Sequence, residues 1–402
     1  MKMKKLLFDG LAVQPDGLVK NHGGAEYSKT VLKQMHQFQG ELYIVYNPNI
    51  EFPEEVKTYC EAHAFRFLTA TNNEEISKIL ADCQFDAFYS GLPYLYSDLK
   101  IPEKTKYIYT IHGLRVLETP LDFRAALYEK KASRMFKQFA KIGIKKLFYK
   151  KLQEHRRNYF AKLFDKTKNQ KVITVSNHSK YSIWNYFPNL DVDLIKVFYS
   201  ATNENTLETF EDENEILKKY GVQKNRYALL VNCNRPEKNA MRGAIAFMRL
   251  FEKNYRELEN FKVVMLGGAF APHIQKMTKK FAERFVICEY VPQKDLDTLE
   301  KNAHLFLYPT LNEGFGYPPI DCMKYETLSA CSAMSAVTEA CGDAVLYFNP
   351  FDIEEIKIRI LESFDPSIIQ EKKAKMKIRY NEIRTKQKQD LDLLVKEIVG
   401  EE

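Results

Sequence analysis

The stretch LFLYPTLNEGFGYPPIDCMKYETLSACSA, residues 305–333, decides how the chain is read. Leu305 to Tyr308 is a short apolar run, the pattern of a strand buried on both faces. Pro309 to Asn312 is turn chemistry. Glu313 follows, then Gly314-Phe315-Gly316, then Pro318-Pro319 in the first turn of an expected helix. Proline fits there because its missing N–H would be unpaired anyway. The two glycines let backbone approach a ligand closely. The start of the helix offers partial positive charge to an anion. Glu313 sits on the loop, and Asp321 sits inside the helix. Two such carboxylates can hold hydroxyls at two distances from one phosphate-binding helix end. A ligand carrying both hydroxyls and phosphates, such as a nucleotide-sugar, fits that pattern.

Outward from this stretch, 402 residues make two domains the prior, and the 45% hydrophobic content suffices for two cores. The seven cysteines are scattered without a C-x-x-C, so neither a disulfide framework nor a zinc ribbon is expected. A reducing, cytoplasmic setting follows. The start MKMKKLLFDGLAV has too short an apolar run for a signal peptide. No apolar run approaches the roughly 20 residues that span a bilayer, so any membrane contact is expected to be peripheral. The net charge of +7 is uneven: Arg124 to Lys171 carries 16 basic and 3 acidic residues, while the rest of the chain sums to −6.

Short apolar runs alternate with helical stretches along the whole chain. Expected strands in the first half are Lys5–Asp9, Leu42–Tyr46, Phe65–Leu68, Phe85–Tyr89, Tyr107–Ile111 and Val172–Val175. Those in the second half are Tyr227–Asn232, Lys262–Leu266, Phe285–Glu289, Leu305–Tyr308 and Val345–Phe348. Helices are expected between them, for example over Ala25–Gln39 and Glu74–Cys83. The alternation predicts an α/β protein with two doubly wound, Rossmann-like parallel sheets. The break is expected near Phe198–Leu207. Ligands in such sheets bind at the carboxyl ends of strands.

Four further motifs fall at strand ends. Gly23-Gly24 opens a helix after the first strand, so its N–H groups can face a diphosphate or an acceptor. The spacing is not the G-x-G-x-x-G of a dinucleotide fingerprint, which argues against a dehydrogenase. His112 ends an expected strand. Ser176 and Ser179 suit a helix start, beside Asn177. Arg235 and Lys238 precede a helix, where two fixed cations suit a pyrophosphate and the charge that grows on it as it leaves.

Residues 313–321 resemble the donor-site signature of retaining GT-B glycosyltransferases of the glycosyl transferases group 1 type, also called family 4. That signature is a Glu and a second acid with GFG-P between them. The family commonly has Glu where this chain has Asp321. Several other stretches are similar to the family: TIHGL around His112, where Gly113 replaces the usual Asp; VSNHSK at 175–180; Arg235 with Lys238-Asn239; and the segment around Val291 whose backbone meets the base. The family commonly has Gly and Pro in place of Glu326 and Leu328.

The resemblance implies a GT-B enzyme with its active site in the cleft between the two domains. It implies that Asp321 holds the ribose, that Glu313 holds the donor sugar, and that His112 approaches that sugar. It also implies transfer with retention from a UDP-, GDP- or dTDP-linked sugar to a saccharide or lipid-linked acceptor. No metal or other cofactor is expected, because Arg235 and Lys238 can neutralise the diphosphate. The expected division is an N-terminal domain over 1–200, including a basic helical excursion at 124–171, a nucleotide-sugar domain over 201–378, and a final helix at 379–402 returning to the first domain. The basic excursion is read either as packing or as contact with an anionic membrane surface; nucleic acid is not the expected partner. A GT-B epimerase and a nucleic-acid-binding protein are the alternative functions.

Overall fold

The computed structural model describes residues 3–15, 23–129, 131–201 and 213–401. Among these residues the first half forms one parallel sheet from β1 (Lys5–Asp9), β2 (Glu41–Tyr46), β3 (Arg66–Thr69), β4 (Ala87–Ser90), β5 (Lys106–Ile111), β6 (Gln170–Thr174) and β7 (Ile195–Val197). Its order is β3-β2-β1-β4-β5-β6-β7. The second half forms another from β8 (Tyr227–Leu230), β9 (Lys262–Leu266), β10 (Phe285–Cys288), β11 (Leu305–Tyr308), β12 (Ser329–Ser332) and β13 (Leu346–Phe348), in the order β10-β9-β8-β11-β12-β13. All strands are parallel, and in each sheet the order of strand addition reverses once, between β1 and β4 in the first and between β8 and β11 in the second. Such a reversal opens a crevice at the carboxyl ends of the two strands, the usual ligand position in a doubly wound sheet.

Each sheet has its own core. In the first, Phe88, Tyr107, Tyr109 and Val172 pack with Leu163 and Phe164. In the second, Val263, Met265, Leu305 and Leu307 pack with Phe247, Leu250 and Ile356. All four residues of β11 are buried, as a central parallel strand requires.

Contacts along the chain define two units. The first comprises 1–117, 153–204 and 384–402, and the second comprises 118–152 and 205–383. Residues 118–152, expected in the N-terminal domain, therefore group with the second unit. The reason is polar and specific: Asp122 Oδ2 lies 2.5 Å from Arg242 Nη1, Asn312 Nδ2 donates to Glu118 Oε2 at 2.5 Å, and His273 Nε2 donates to the Glu129 carbonyl at 2.9 Å. The last helix runs from Pro366 to Val399, longer than expected. Its residues from Arg384 onward group with the first unit.

Two strands were not expected. β7 has only three residues, and β12 reads SACS, small and polar where strands are usually β-branched or aromatic. The helix expected over Ala25–Gln39 runs over Gly23–Gln34 and ends in a 3-10 turn, Met35–Gln37.

Candidate active site

The crevice of the second sheet is built by the loops after β8 and β11. After β8 the chain turns through Asn232, enters a single 3-10 turn at Pro236–Lys238, and starts the helix Ala240–Phe251 from Asn239, at φ +55°. Asn239 Nδ2 donates to the carbonyls of Pro309 and Pro350, both at 2.9 Å, and Leu311 N donates to Glu237 O at 2.8 Å. These bonds stitch the two loops into one surface.

Lys238 and Glu313 meet on that surface. Lys238 Nζ lies 2.5 Å from Glu313 Oε1, and both side chains are buried. The same Oε1 accepts from Tyr308 OH at 2.7 Å and from Thr310 Oγ1 at 2.6 Å. Lys238 Nζ also donates to Tyr308 OH at 2.9 Å. Ser335 Oγ accepts from Glu313 N at 2.8 Å, fixing the loop backbone. Burial by itself would raise the Glu313 carboxyl. The Lys238 ammonium and the converging hydrogen bonds outweigh burial and hold the group below the usual carboxylate range. Glu313 is therefore a fixed anion. Among the described residues its donors all converge on Oε1, so Oε2 is the oxygen left for a ligand hydroxyl.

The sequence treats Arg235 and Lys238 as a pair of fixed cations; the structure separates their situations. Arg235 is 47% exposed and lies 3.4 Å from Glu237, whereas Lys238 is 7% exposed and engaged with Glu313 and Tyr308. An ammonium has three N–H donors, so one is left beyond those two contacts. Such a group can serve an anion only at close range, while Arg235 can reach out.

Of the glycines in the GFG segment, Gly316 has φ +103°, a region L side chains avoid, and it precedes the helix Tyr317–Met323. Phe315 is buried and its ring lies 5.5 Å from Tyr317. Gly314 is half-buried beside Glu313. The helix has seven residues, and Asp321 is half-buried in it. A second acid stands close by: burial, and next the charge of Asp321, push the Glu300 carboxyl well above its ordinary range. Both effects favour the protonated form of Glu300. Val291 is half-buried in the loop between β10 and the helix Gln293–Asn302.

The remaining predicted residues lie in the first unit. His112 follows β5. Its Nε2 lies 3.0 Å from the Gly91 carbonyl, its backbone N donates to Tyr94 OH at 2.9 Å, and its ring packs edge-on against Tyr27 at 4.7 Å. A carbonyl only accepts, so Nε2 carries the proton, and a neutral His112 has its lone pair on Nδ1. Gly113, where the family has Asp, has φ +146°, which any side chain would strain. Gly23 and Gly24 are the first residues of the helix Gly23–Gln34. A Cβ on Gly24 would come within 2.6 Å of Leu92 Cδ2, so a larger residue there would require the Leu92 side chain to shift. Lys20 to His22 of the same motif lie outside the described residues. Ser176 caps the helix Asn177–Tyr186 by accepting from Ser179 N at 3.1 Å, and Asn177 is exposed at its first turn.

Sequence reasoning missed Tyr308, Thr310 and Ser335, the three hydroxyls around Glu313. The available signal was a tyrosine closing an otherwise apolar strand and a threonine two residues beyond it.

Residues 212–382 match the family described as Glycosyl transferases group 1. The chain carries a glycosyl transferases group 1 domain, and Lys238 and Glu313 lie within it. O-antigen chain mannosyltransferase B of Escherichia coli is 28% identical over 199 residues, which are 48% of this chain and 51% of that protein. The chain therefore spans about half the length of that curated relative. Among solved structures, a glycosyltransferase from Rickettsia africae superposes with a TM-score of 0.67 at 16% identity, covering 99% of both chains. Anabaena HepE in complex with UDP-glucose superposes with a TM-score of 0.63 at 13% identity, covering 97% of this chain and 99% of that one. The fold is GT-B.

Proposed function

We propose that the chain is a glycosyltransferase that moves a hexose-type sugar from a nucleoside-diphosphate sugar to a saccharide or lipid-linked acceptor, with retention, in bacterial surface polysaccharide assembly at the inner face of the membrane. The observation that carries this reading is the buried Lys238–Glu313 pair at the reversal between β8 and β11. It sits where a doubly wound sheet binds ligands, and it presents a cation and an anion side by side. The group 1 domain and the O-antigen mannosyltransferase relative support the same reading.

In this proposal Arg235 and the third N–H of Lys238 meet the diphosphate. They stabilise the charge that develops on it as the sugar–phosphate bond breaks. Glu313 Oε2 accepts a donor-sugar hydroxyl. Asp321 holds the ribose, the backbone at Val291 meets the base, and Gly314 to Gly316 let backbone close on the donor. His112 serves the sugar, and Gly23 and Gly24 serve the phosphate or acceptor. The diphosphate charge is carried by side chains, so the proposal asks for no metal. Donor base and sugar are open to UDP-, GDP- and dTDP-linked compounds; the UDP-glucose complex of Anabaena HepE makes UDP the first to try.

The test is to incubate the full chain with each class of nucleotide-sugar, with and without lipid-linked saccharide. The expected result is acceptor-dependent release of nucleoside diphosphate and a product retaining the anomeric configuration of the donor. Release of an epimerised sugar from donor alone, or no turnover with any donor, would overturn the proposal.

A further inference from the structure

The basic excursion is narrowed by the structure to Lys131–Leu152, which belongs to the second unit and lies outside the site above. It forms the helix Ala132–Leu147 and the first turn of the helix Tyr149–Phe164. One face of the first helix packs inward. Ile142 is 4% exposed, the Phe139 ring stacks on Phe123 with centroids 6.3 Å apart, and Lys146 Nζ sits 4.3 Å above the same Phe123 ring. At roughly 100° per residue, Phe136 lies on the flank of that face, Ile144 nearly opposite it, and Leu147 between the two. They are 67%, 60% and 78% exposed, and the adjoining Phe148 is 53% exposed.

A helix that merely packs on a core turns its polar side to water. This one turns a second apolar stripe to water and borders it with cations. Arg134, Lys137 and Lys141 are exposed along one edge of the stripe, and Lys150 and Lys151 continue beyond it. From Lys131 to Leu152 there are eight basic residues and no acidic one. The uniform positive charge calls for an anionic partner. The four large apolar side chains call for a partner with an apolar phase behind its charge. A bilayer of anionic lipids offers both, whereas a nucleic-acid duplex offers only the charge. Among the described residues no helix is long and apolar enough to cross a membrane.

We propose that Lys131–Leu152 docks in the plane of an anionic bilayer. Phe136, Ile144, Leu147 and Phe148 enter the boundary between headgroups and acyl chains, and the surrounding lysines and Arg134 meet lipid phosphates. The surface stands independently of the sugar chemistry, since vesicle binding is read without donor or acceptor.

The experiment is co-sedimentation of the full chain with vesicles of phosphatidylcholine alone and with phosphatidylglycerol added, at low and high salt. Two variants accompany it, Ile144→Asp with Leu147→Asp, and Lys137→Glu with Lys141→Glu. Both change exposed side chains, and circular dichroism verifies their folding. Wild type is expected to bind only the anionic vesicles and to be released by salt. Each variant is expected to lower the partitioning roughly tenfold or more. Equal binding to both vesicle types, no binding to either, or anionic binding untouched by the Ile144/Leu147 pair would overturn the proposal. So would duplex DNA capturing the chain in preference to anionic vesicles.

Discussion

Lys238 Nζ lies 2.5 Å from Glu313 Oε1, with the two side chains 7% and 9% exposed. A buried pair of this kind adds little net stability by existing, but breaking it strands a charge away from water. Lys238→Ala and Glu313→Ala should each cost about 3 kcal/mol, and the double variant should lose less than their sum by at least about 1 kcal/mol. Urea unfolding of the four proteins checks this. Strict additivity would mean the two groups do not depend on each other.

Glu313 and Asp321 should separate functionally. Glu313→Gln keeps an acceptor toward Tyr308 and Thr310 but removes the anion, so it should spare the affinity for free nucleoside diphosphate and lower transfer about a hundredfold. Asp321→Asn should weaken free nucleotide and donor alike, by about tenfold. Equal weakening of free nucleotide in both variants would refute the division of roles.

A second buried acid makes a pH prediction. Asp9, at the end of β1, accepts from Ser90 Oγ at 2.6 Å and from Leu11 N at 3.1 Å, yet burial pushes its carboxyl up to about 6. The folded state then holds a proton that the unfolded state has released above about pH 4. Stability therefore falls as pH rises from about 4 to about 6, by something on the order of 3 kcal/mol, and the loss is complete above that window. Asp9→Asn should remove this slope. The stability difference between variant and wild type, followed from pH 4 to 7, should grow in favour of the variant; a flat difference would show that Asp9 does not hold the proton.

Glu326 departs from the family's usual Gly, and it stands at φ +54° with an exposed side chain. The left-handed conformation costs a non-glycine residue about 1 kcal/mol. Glu326→Gly should thus raise stability by about that amount, read as an upward shift of the thermal midpoint. A lowered midpoint would mean the Glu326 side chain contributes more than its backbone strain removes.

Much of the fold was legible because central parallel strands are apolar runs: Lys5–Asp9, Lys262–Leu266 and Leu305–Tyr308 have the boundaries their sequence suggests. β12 was not, because Ser329, Ala330, Cys331 and Ser332 owe their strand conformation to lying between β11 and β13. The individual site residues were legible from local chemistry, glycines and prolines above all. The pairing of Lys238 with Glu313 was not, since they are 75 positions apart and meet only because β8 and β11 are neighbours. The membership of 118–152 in the second unit was hidden for the same reason, resting on single long-range contacts such as Asp122 with Arg242.

The central claim is that the second unit binds a nucleoside diphosphate through the cations after β8. Calorimetric titration of the full chain with UDP, GDP and dTDP tests it most directly, alongside Arg235→Ala, whose exposed side chain can be removed without disturbing the core. The account predicts that wild type binds at least one of the three, and that Arg235→Ala binds it about tenfold or more weakly, the loss of one charge-assisted phosphate contact. No heat of binding with any of the three, or unchanged affinity in the variant, would contradict it.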